Sequence, residues 1–526
     1  MKKTIYRAVV SKWLYPELFS ILFFCYPRTM ALEEIRKARL KKLENIKKAG
    51  IDPYPAESFR SHKISEALGN FDELSKAGEK ITLAGRLMSL REHGGSTFAD
   101  LKDGSTHSTK PQGGEPIEST LLTTGESGKI QLFFKKDTLG AREYDFFLEN
   151  FDIGDFIEVS GILIKTKVGE ETLEVKDFRM LAKTLLPLPE KWHGLQDIEE
   201  RFRKRYLDIL FNDEVHQKFI LRFKIIDTIR EFFRKNGFIE VETPVLQPLP
   251  GGATARPFKT HMNDLDMDLY LRVAPELYLK RLLVGGVERL FEIAKVFRNE
   301  GMDAQHNPEF TMLEAYAAYW NENDMMGCVE NLMKGFHFDK NLGLEKEFSR
   351  LSLKDVLSEY ASISDYTKEE EKAMRNKAKE LGLDVKHKIT KDDVVEEIFE
   401  KVCRPLIKKP TFVIDFPSSI SPLSKKKDEK LVRRFNLIIN GVEVADGWSE
   451  INDPLDQRER FEAQEKIREK GNEEAQRFDK DFIEALEYGM PPSAGVGIGI
   501  DRLAALLTDS HTLREIILFP TMKGKE

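Results

Sequence analysis

Only three cysteines occur in 526 residues, at positions 25, 328 and 403. Scattered and unpaired in spacing, they exclude a disulfide framework or a cysteine-built zinc site and fit a reducing compartment. Long apolar runs are missing too. The stretch 18–25 is mostly apolar, but it is short and interrupted upstream by Pro16 and Glu17, so it does not span a bilayer. Nor is there an excess of positive charge. The net charge is −7, which does not advertise nucleic acid, although a large RNA ligand needs only one local basic path. What remains is an ordinary globular balance, 41% hydrophobic and 33% charged. The chain is too long for one core, and two or three domains are expected.

Residues 1–29 carry Lys2, Lys3 and Arg7 ahead of the apolar stretch. That order suits a signal peptide, but no small-residue cleavage site follows. An extension with a misplaced start at Met30, or a targeting segment, both fit. Residues 30–79 read as a helical arm bearing Arg36, Lys37, Arg39, Lys41, Lys42, Lys47 and Lys48. Such a run is either a solvated face or a polybasic strip against an RNA backbone.

Over residues 80–186 the period changes to that of strands. Segments 81–87, 129–134, 156–164 and 172–178 alternate apolar and polar residues. About five short strands in this span predict a small closed barrel of the oligonucleotide-binding type. Residues 103–128, rich in Ser, Thr, Gly and Pro, read as a long loop between two strands. A large domain follows over 187–526, beginning with helices at 197–211 and 213–236. It carries a helical insertion around 320–410, most charged at 365–408. Strands and helices mix without regular βα alternation, which predicts an α+β fold.

Three motifs carry chemistry. GFIEVETP (237–244) follows a helix end and runs through prolines to Pro248; by itself it reads as a buried strand near a domain edge. FRNE (297–300), a short loop, and HNPEFTMLEAY (306–316) fit two strands joined by a polar loop. A hairpin there places Arg298, Glu300, Phe310, Glu314 and Tyr316 on one surface. An arginine for phosphate, a flat aromatic for a base and carboxylates for amines suit a nucleotide-and-amine site; a structural hairpin with satisfied ion pairs fits the same residues. GVGIGIDR (495–502) precedes an apolar helix. It lacks the third glycine of a dinucleotide fingerprint, and it fits either a helix-packing turn or an arginine placed for a triphosphate tail.

In this order and spacing the three motifs resemble the signatures of class II aminoacyl-tRNA synthetases, over nearly everything from residue 30 onward. GGATARPF (251–258), APELYLK (274–280), HNPEFT (306–311), WHGLQDIE (192–199) and RYLD (205–208) resemble the lysyl-tRNA synthetase family in particular. Aspartyl and asparaginyl enzymes share the barrel and motifs. An aspartate pocket needs cations, however, whereas Glu276, Glu314 and Glu450 stand at the substrate positions here, which suits a cationic side chain. The HIGH-type signature of class I is absent, and SKKK (424–427) matches only half of the other class I motif.

The resemblance implies an antiparallel class II sheet with flanking helices, preceded by an all-β barrel. It also implies a cytoplasmic homodimer that uses ATP, L-lysine, tRNA(Lys) and Mg²⁺ and has no membrane association. Arg298 would hold the α-phosphate; Phe310 would stack on adenine against Arg502, which reaches the γ-phosphate. Glu300 would read the adenine amino group and His306 would meet phosphates. Glu443, with Asn436, would hold magnesium. Lysine would lie among Gly252, Glu276, Glu314, Tyr316, Asp446, Trp448 and Glu450. Arg91, Phe98, Gln131 and Glu170 would contact the anticodon, although Phe98 also suits a barrel core. A catalytically altered paralogue acting as an RNA-binding or regulatory module is the alternative function.

Two positions depart from the family, which usually has Glu where Asn436 stands and Asn where Asp446 stands. Asn440 and Gly441 predict a two-residue hairpin turn, with Asn436 opposite Ala445 in an unbroken ladder. Strict alternation then turns Asp446 away from Glu443, so a bulge is expected near 445–447, where Gly447 tolerates one.

Overall fold

The computed structural model describes residues 16–107, 126–189, 197–336, 342–469, 471 and 474–524. The chain divides into two compact units, the second beginning at Asp197. Residues 1–15, most of the stretch 103–128 read as a loop, and the 192–196 part of the WHGLQDIE motif lie outside the described residues. Among the described residues no helix is long and apolar enough to cross a membrane.

The first unit is a closed five-stranded barrel. Strands β1 (Ile81–His93), β2 (Ser96–His107), β3 (Glu126–Lys135), β4 (Phe156–Lys165) and β5 (Glu171–Ala182) close in the order β1-β2-β3-β5-β4. The β3–β5 pair is parallel, and the helix Ala141–Asn150 lies between β3 and β4 in sequence. This is the oligonucleotide-binding topology expected from the strand spacing. The period-two pattern sends Leu83, Ala99, Leu101, Leu132, Val159 and Leu173 inward, all fully buried. The helix Pro16–Lys48 passes through Met30 and contributes Ile46 to the same core, as the next two helices contribute Ile64 and Phe71. Part of its basic strip is consumed internally. Arg39 donates to the carbonyl oxygens of Ile153 and Leu186 and to Thr184 Oγ1, and Lys42 pairs with Asp152 at 2.7 Å.

The second unit opens with helices Ile198–Arg203 and Arg205–Phe211, broken at Lys204 where one helix is expected, and then Asp213–Lys235. Arg205 and Asp208 of the RYLD motif form a buried ion pair at 2.7 Å. Next come β6 (Ile239–Glu240), β7 (Leu246–Gln247), β8 (Lys259–Met262), β9 (Met267–Leu271), β10 (Arg289–Phe297) and β11 (Glu309–Ala318). β12 (Ser349–Ser352), β13 (Thr411–Ile414), β14 (Arg434–Ile439), β15 (Val442–Ser449) and β16 (Ser493–Gly499) complete the strands. Eight form one sheet in the order β12-β13-β14-β15-β16-β11-β10-β6, and β7, β9 and β8 form a small separate one. The interior pairs are antiparallel; only the β12–β13 and β10–β6 pairs at the two ends are parallel. Leu353, Val356, Val394, Ile398 and Phe399 of the insertion pack into a second core that they share with Val413 and Ile438 of the sheet.

One face of the large sheet is core. Leu313, Ala315, Leu437, Val496 and Ile498 pack there against Ile229 and Phe233, Met325 and Val329, and Leu503 from three helices. Because side chains alternate, the even-numbered residues of β11 point to the opposite face, and that face carries the site.

Beyond the break at Lys204, the structure departs from the sequence reading in the first motif and in the β14–β15 hairpin. The 237–244 motif is not a buried strand: β6 is two residues long at the sheet edge, and Ile239, Val245 and Leu246 are exposed by 59%, 39% and 49%. Pro244 at the end of the motif and Pro248 beyond it deny the segment a longer ladder. The expected bulge exists, but earlier. Ile438 pairs with Glu443 and Leu437 with Ala445, so Val444 is the extra residue, and Asn436 faces Asp446 rather than Ala445. Val444 joins the apolar core, so burying its side chain fixes the extra residue there rather than beside Gly447.

Candidate active site and RNA-facing surface

A cavity of about 640 Å³ lies over the sheet, floored by β11, β15 and β16. Its floor is glycine by construction. Gly495, Gly497 and Gly499 of β16 pair with Tyr316, Glu314 and Met312 of β11. On the other side Gly495 pairs with Trp448 and Gly497 with Asp446. A Cβ at Gly495 would stand 2.4 Å from both Glu450 Oε1 and Tyr316 Cε1. The GVGIG run is thus a strand stripped of side chains on its ligand-facing side. Gly252 approaches from above with φ +89°, and a Cβ there would meet Glu276 Cβ at 2.9 Å.

At one end of the cavity are three buried glutamates. Glu276 and Lys280 lie one turn apart on the helix Glu276–Val284, a spacing that puts both on one face. Lys280 Nζ bonds Glu276 Oε1 and Glu450 Oε2, and all three residues are buried to 2% exposure or less. Trp448 Nε1 donates to Glu450 Oε2 at 3.0 Å, while Glu450 Oε1 is buried with no partner. Tyr316 Oη donates to Glu314 Oε2 at 2.9 Å. Burial, reinforced by Glu276, holds the Glu314 carboxyl well above the usual range. Burial likewise lifts Glu276 and pushes Glu450 up to about 8, in both cases against the pull of Lys280. Burial presses the Lys280 ammonium down, but Glu276 and Glu450 outweigh it and raise its pKa.

At the other end are the arginines. The Arg298 guanidinium lies 5.2 Å over the Phe310 ring. Arg502, in the first turn of the helix Ile500–Leu507, donates to Glu443 Oε1 at 3.1 Å and to His306 Nε2 at 3.1 Å. An arginine only donates, so Nε2 is the accepting nitrogen and Nδ1 carries the proton, which bonds Asp303 at 2.8 Å. Arg404 adds a second cation 3.6 Å from Glu443. Asp501 secures the base of this end, accepting from Arg222 at 2.6 Å and from the Thr311 N–H at 2.8 Å.

Twelve of the thirteen expected nucleotide and amino-acid residues border this one cavity: Gly252, Glu276, Arg298, Glu300, His306, Phe310, Glu314, Tyr316, Glu443, Asp446, Trp448 and Arg502; Glu450 is not in its wall, but its Oε1 lies against Gly495 of the floor. Asn436 is different. It is 1% exposed, its Nδ2 has no partner, and it is not part of the cavity wall. The bulge at Val444 brings Glu443 and Asp446 to one face although they are three residues apart. Asp446 does not present a bare charge, because Arg434 grips it through two bonds of 3.0 and 2.9 Å. Lys280, Arg404 and Arg434 were missed by the sequence reading. Helical spacing from Glu276 was an available signal for Lys280; nothing local marked the other two.

The catalytic unit matches the family model of class II tRNA synthetases (D, K and N) over residues 197–523. A lysine–tRNA ligase of Carboxydothermus hydrogenoformans is 45% identical, the match covering 94% of this chain and 99% of that protein. Lysine–tRNA ligases of Thermoanaerobacter pseudethanolicus and Moorella thermoacetica are 44% and 43% identical, each over 94% of this chain and over 97% and 99% of their own. This chain belongs to the class II lysyl-tRNA synthetases.

In this lysyl-tRNA synthetase family member the barrel presents a second candidate surface. Arg91, Phe98, Phe133 and Glu174 stand on one row across β1, β2, β3 and β5; Asp100, Gln131 and Thr172 form the next. Phe98 is not in the barrel core. Its neighbours Thr97 and Ala99 point inward at 0% exposure, while Phe98 stacks on Phe133 outside, centroids 4.5 Å apart and planes 9° from parallel. Gln131 Oε1 accepts from Thr172. Arg91 reaches Asp100 at 3.5 Å, and Glu170 is exposed where β4 turns into β5.

Proposed function

We propose that this chain activates L-lysine with ATP to lysyl-adenylate and transfers the lysyl group to the 3′ end of tRNA(Lys). The observation that carries this reading is the cavity's polarity: buried carboxylates at one end, arginines and an aromatic face at the other. A cationic amino acid and an anionic nucleotide fit it in one orientation only.

The lysine carboxylate is already ionised and attacks the α-phosphorus, forming a mixed anhydride as pyrophosphate leaves. No protein base is needed, and the protein's contribution is alignment and charge. Arg298 holds the α-phosphate and Arg502 the γ-phosphate, with adenine on Phe310 and Glu300 reading its amino group. The side-chain ammonium meets Glu450 and Tyr316, with Trp448 along the aliphatic stem, and the α-ammonium lies between Gly252 and Glu276. The tRNA hydroxyl then attacks the carbonyl carbon, an ester forms and AMP leaves.

Magnesium fits beside Glu443. Among the described residues no cluster of three or more His, Cys, Asp or Glu could hold a metal alone, as suits an ion that takes one or two carboxylates plus phosphate oxygens. Bound with ATP, it would neutralise phosphate charge. Asn436, outside the cavity wall, is a poor second ligand, and its orphaned amide has no other assignment.

Lysine-dependent exchange of pyrophosphate into ATP tests the function; a pure RNA-binding module gives none. Cytoplasmic localisation follows from this reading. The stacked Phe98 and Phe133 are the proposed platform for anticodon bases. Base stacking on an aromatic is worth ~1–3 kcal/mol, so Phe98→Ala should weaken tRNA(Lys) binding accordingly while leaving pyrophosphate exchange untouched. Equal tRNA affinity in the variant would remove Phe98 from the interface.

A twofold homodimer accounts for the exposed Ile239, Val245 and Leu246, and for Phe223, 43% exposed on the helix Asp213–Lys235, because exposed large apolar side chains suit an interface. Sedimentation should give a dimer at micromolar concentration, and an active monomer there would exclude this role for the surface.

A further inference from the structure

Lys280 is a buried cation bonded to Glu276, which borders the carboxylate end of the cavity, and the proposed chemistry gives it no task. It is 1% exposed and is anchored on both sides, by Glu276 from its own helix and by Glu450 from the end of β15. Its ammonium lies 5.8 Å from the Trp448 ring and 6.0 Å from that of Tyr316, the two aromatics assigned to the substrate side chain. An unpartnered buried carboxylate oxygen, Glu450 Oε1, faces the glycine floor beside Tyr316.

The charges around this group come from five elements. Glu276 and Lys280 belong to the helix, Glu314 and Tyr316 to β11, and Asp446 and Trp448 to β15, with Glu450 just beyond. Arg434 of β14 cancels Asp446, and Arg298 reaches Glu314 electrostatically from the nucleotide end. With Asp446 cancelled, Glu276, Glu314 and Glu450 carry three negative charges when ionised. Lys280 offsets one, leaving two. L-lysine brings two ammonium groups to this end, while its carboxylate turns toward Arg298.

We propose that Lys280 is a specificity-determining positioning residue: an internal counter-cation that matches the pocket's charge to a diammonium ligand and occupies Glu450 Oε2 so that Oε1 faces the substrate's side-chain ammonium. The inference rests on the lysine reading of the site. Its physical basis is the cost of ionising clustered buried carboxylates. With Lys280 present, its ammonium pulls the raised Glu276 and Glu450 carboxyls back toward ionisation. Without it, their mutual repulsion and burial hold them protonated, and a protonated carboxyl does not receive an ammonium.

The test is the dissociation constant of lysine, read by fluorescence of the pocket tryptophan from pH 6 to 9, for the full chain and for Lys280→Met, Lys280→Gln and Lys280→Arg. Removing a cation raises the carboxyl pKa values. The variant-to-parent ratio should therefore be highest at low pH and fall toward one as pH rises through the raised pKa. Titration of lysine itself cancels in that ratio. A shift of one pKa unit or more makes the ratio about tenfold or greater at pH 6–7 for the Met and Gln variants. Lys280→Arg, which keeps the charge, should stay near one throughout, and ATP binding should be unchanged in all three. A ratio that does not vary with pH, or ATP binding that weakens in step with lysine, would show a merely structural lysine and overturn the proposal. Glu450→Gln separates the two levels. If it binds lysine normally, the pocket assignment fails; if it binds poorly while the Lys280 ratios are flat, only the role of Lys280 fails.

Discussion

Glu450→Gln should cost about 3–5 kcal/mol in lysine recognition, a loss of kcat/KM for lysine of roughly a hundredfold to several thousandfold. The carboxylate is 1% exposed and bonded by Trp448 and Lys280 on one oxygen only. The amide removes the charge meant for the substrate and also leaves the Lys280 ammonium with half its counter-charge. ATP affinity should barely change, because the proposed nucleotide site is the arginine end. Steady-state kinetics with lysine varied at saturating ATP, then the reverse, separate the two effects. An unaltered kcat/KM for lysine would falsify the assignment of Glu450.

Arg298→Ala should fail differently. In the proposed pose the guanidinium stands where negative charge grows on the α-phosphate as the anhydride forms. Removing one such preorganised donor typically lowers kcat by about 10²–10³-fold. Loss of lysine-dependent pyrophosphate exchange with near-normal lysine binding is the expected signature. If binding of lysine falls and the rate of exchange at saturation does not, Arg298 acts on the amino acid and not on phosphate.

Period-two alternation disclosed the part of this candidate site that lies on β11, and the family resemblance supplied most of the rest, from helix, loop and β15 positions. Phe310, Glu314 and Tyr316 are even steps on β11, and the hairpin register needed only the loop length to be guessed. Phe98 needed the barrel itself. Its alternation with Thr97 and Ala99 settles which face it takes, but only once Ala99 is known to be inside. Where reading failed, a nonlocal contact decided the outcome. The extra residue in β15 is Val444 because its side chain enters the sheet's apolar core, a choice that local preference for Gly447 could not foresee. The 237–244 segment looked buried because it is apolar, but its covering surface is not within the described part of one chain. Arg434 escaped notice because its partner Asp446 lies across a hairpin; Lys280 was missed although Glu276 stands one turn away, its second partner Glu450 being distant in sequence.

That displaced bulge has a consequence for how the two unusual positions change over time. It sets Asn436 and Asp446 on one rung of the β14–β15 ladder, where the family usually has Glu and Asn respectively. One carboxylate and one amide stand on the rung in either case; they have traded strands. A single substitution cannot make that exchange. One intermediate, Glu with Asp, sets two acids about 4.5–5.5 Å apart across the strands. The other, Asn with Asn, strips Arg434 of the carboxylate that holds it. Both intermediates are costly, so the rung behaves as one inherited character with two states. Asn436→Glu and Asp446→Asn should each destabilise the chain more alone than together, with a coupling of about 0.5–3 kcal/mol in a double-mutant cycle read by thermal unfolding. Additive effects would mean that the two positions drift independently.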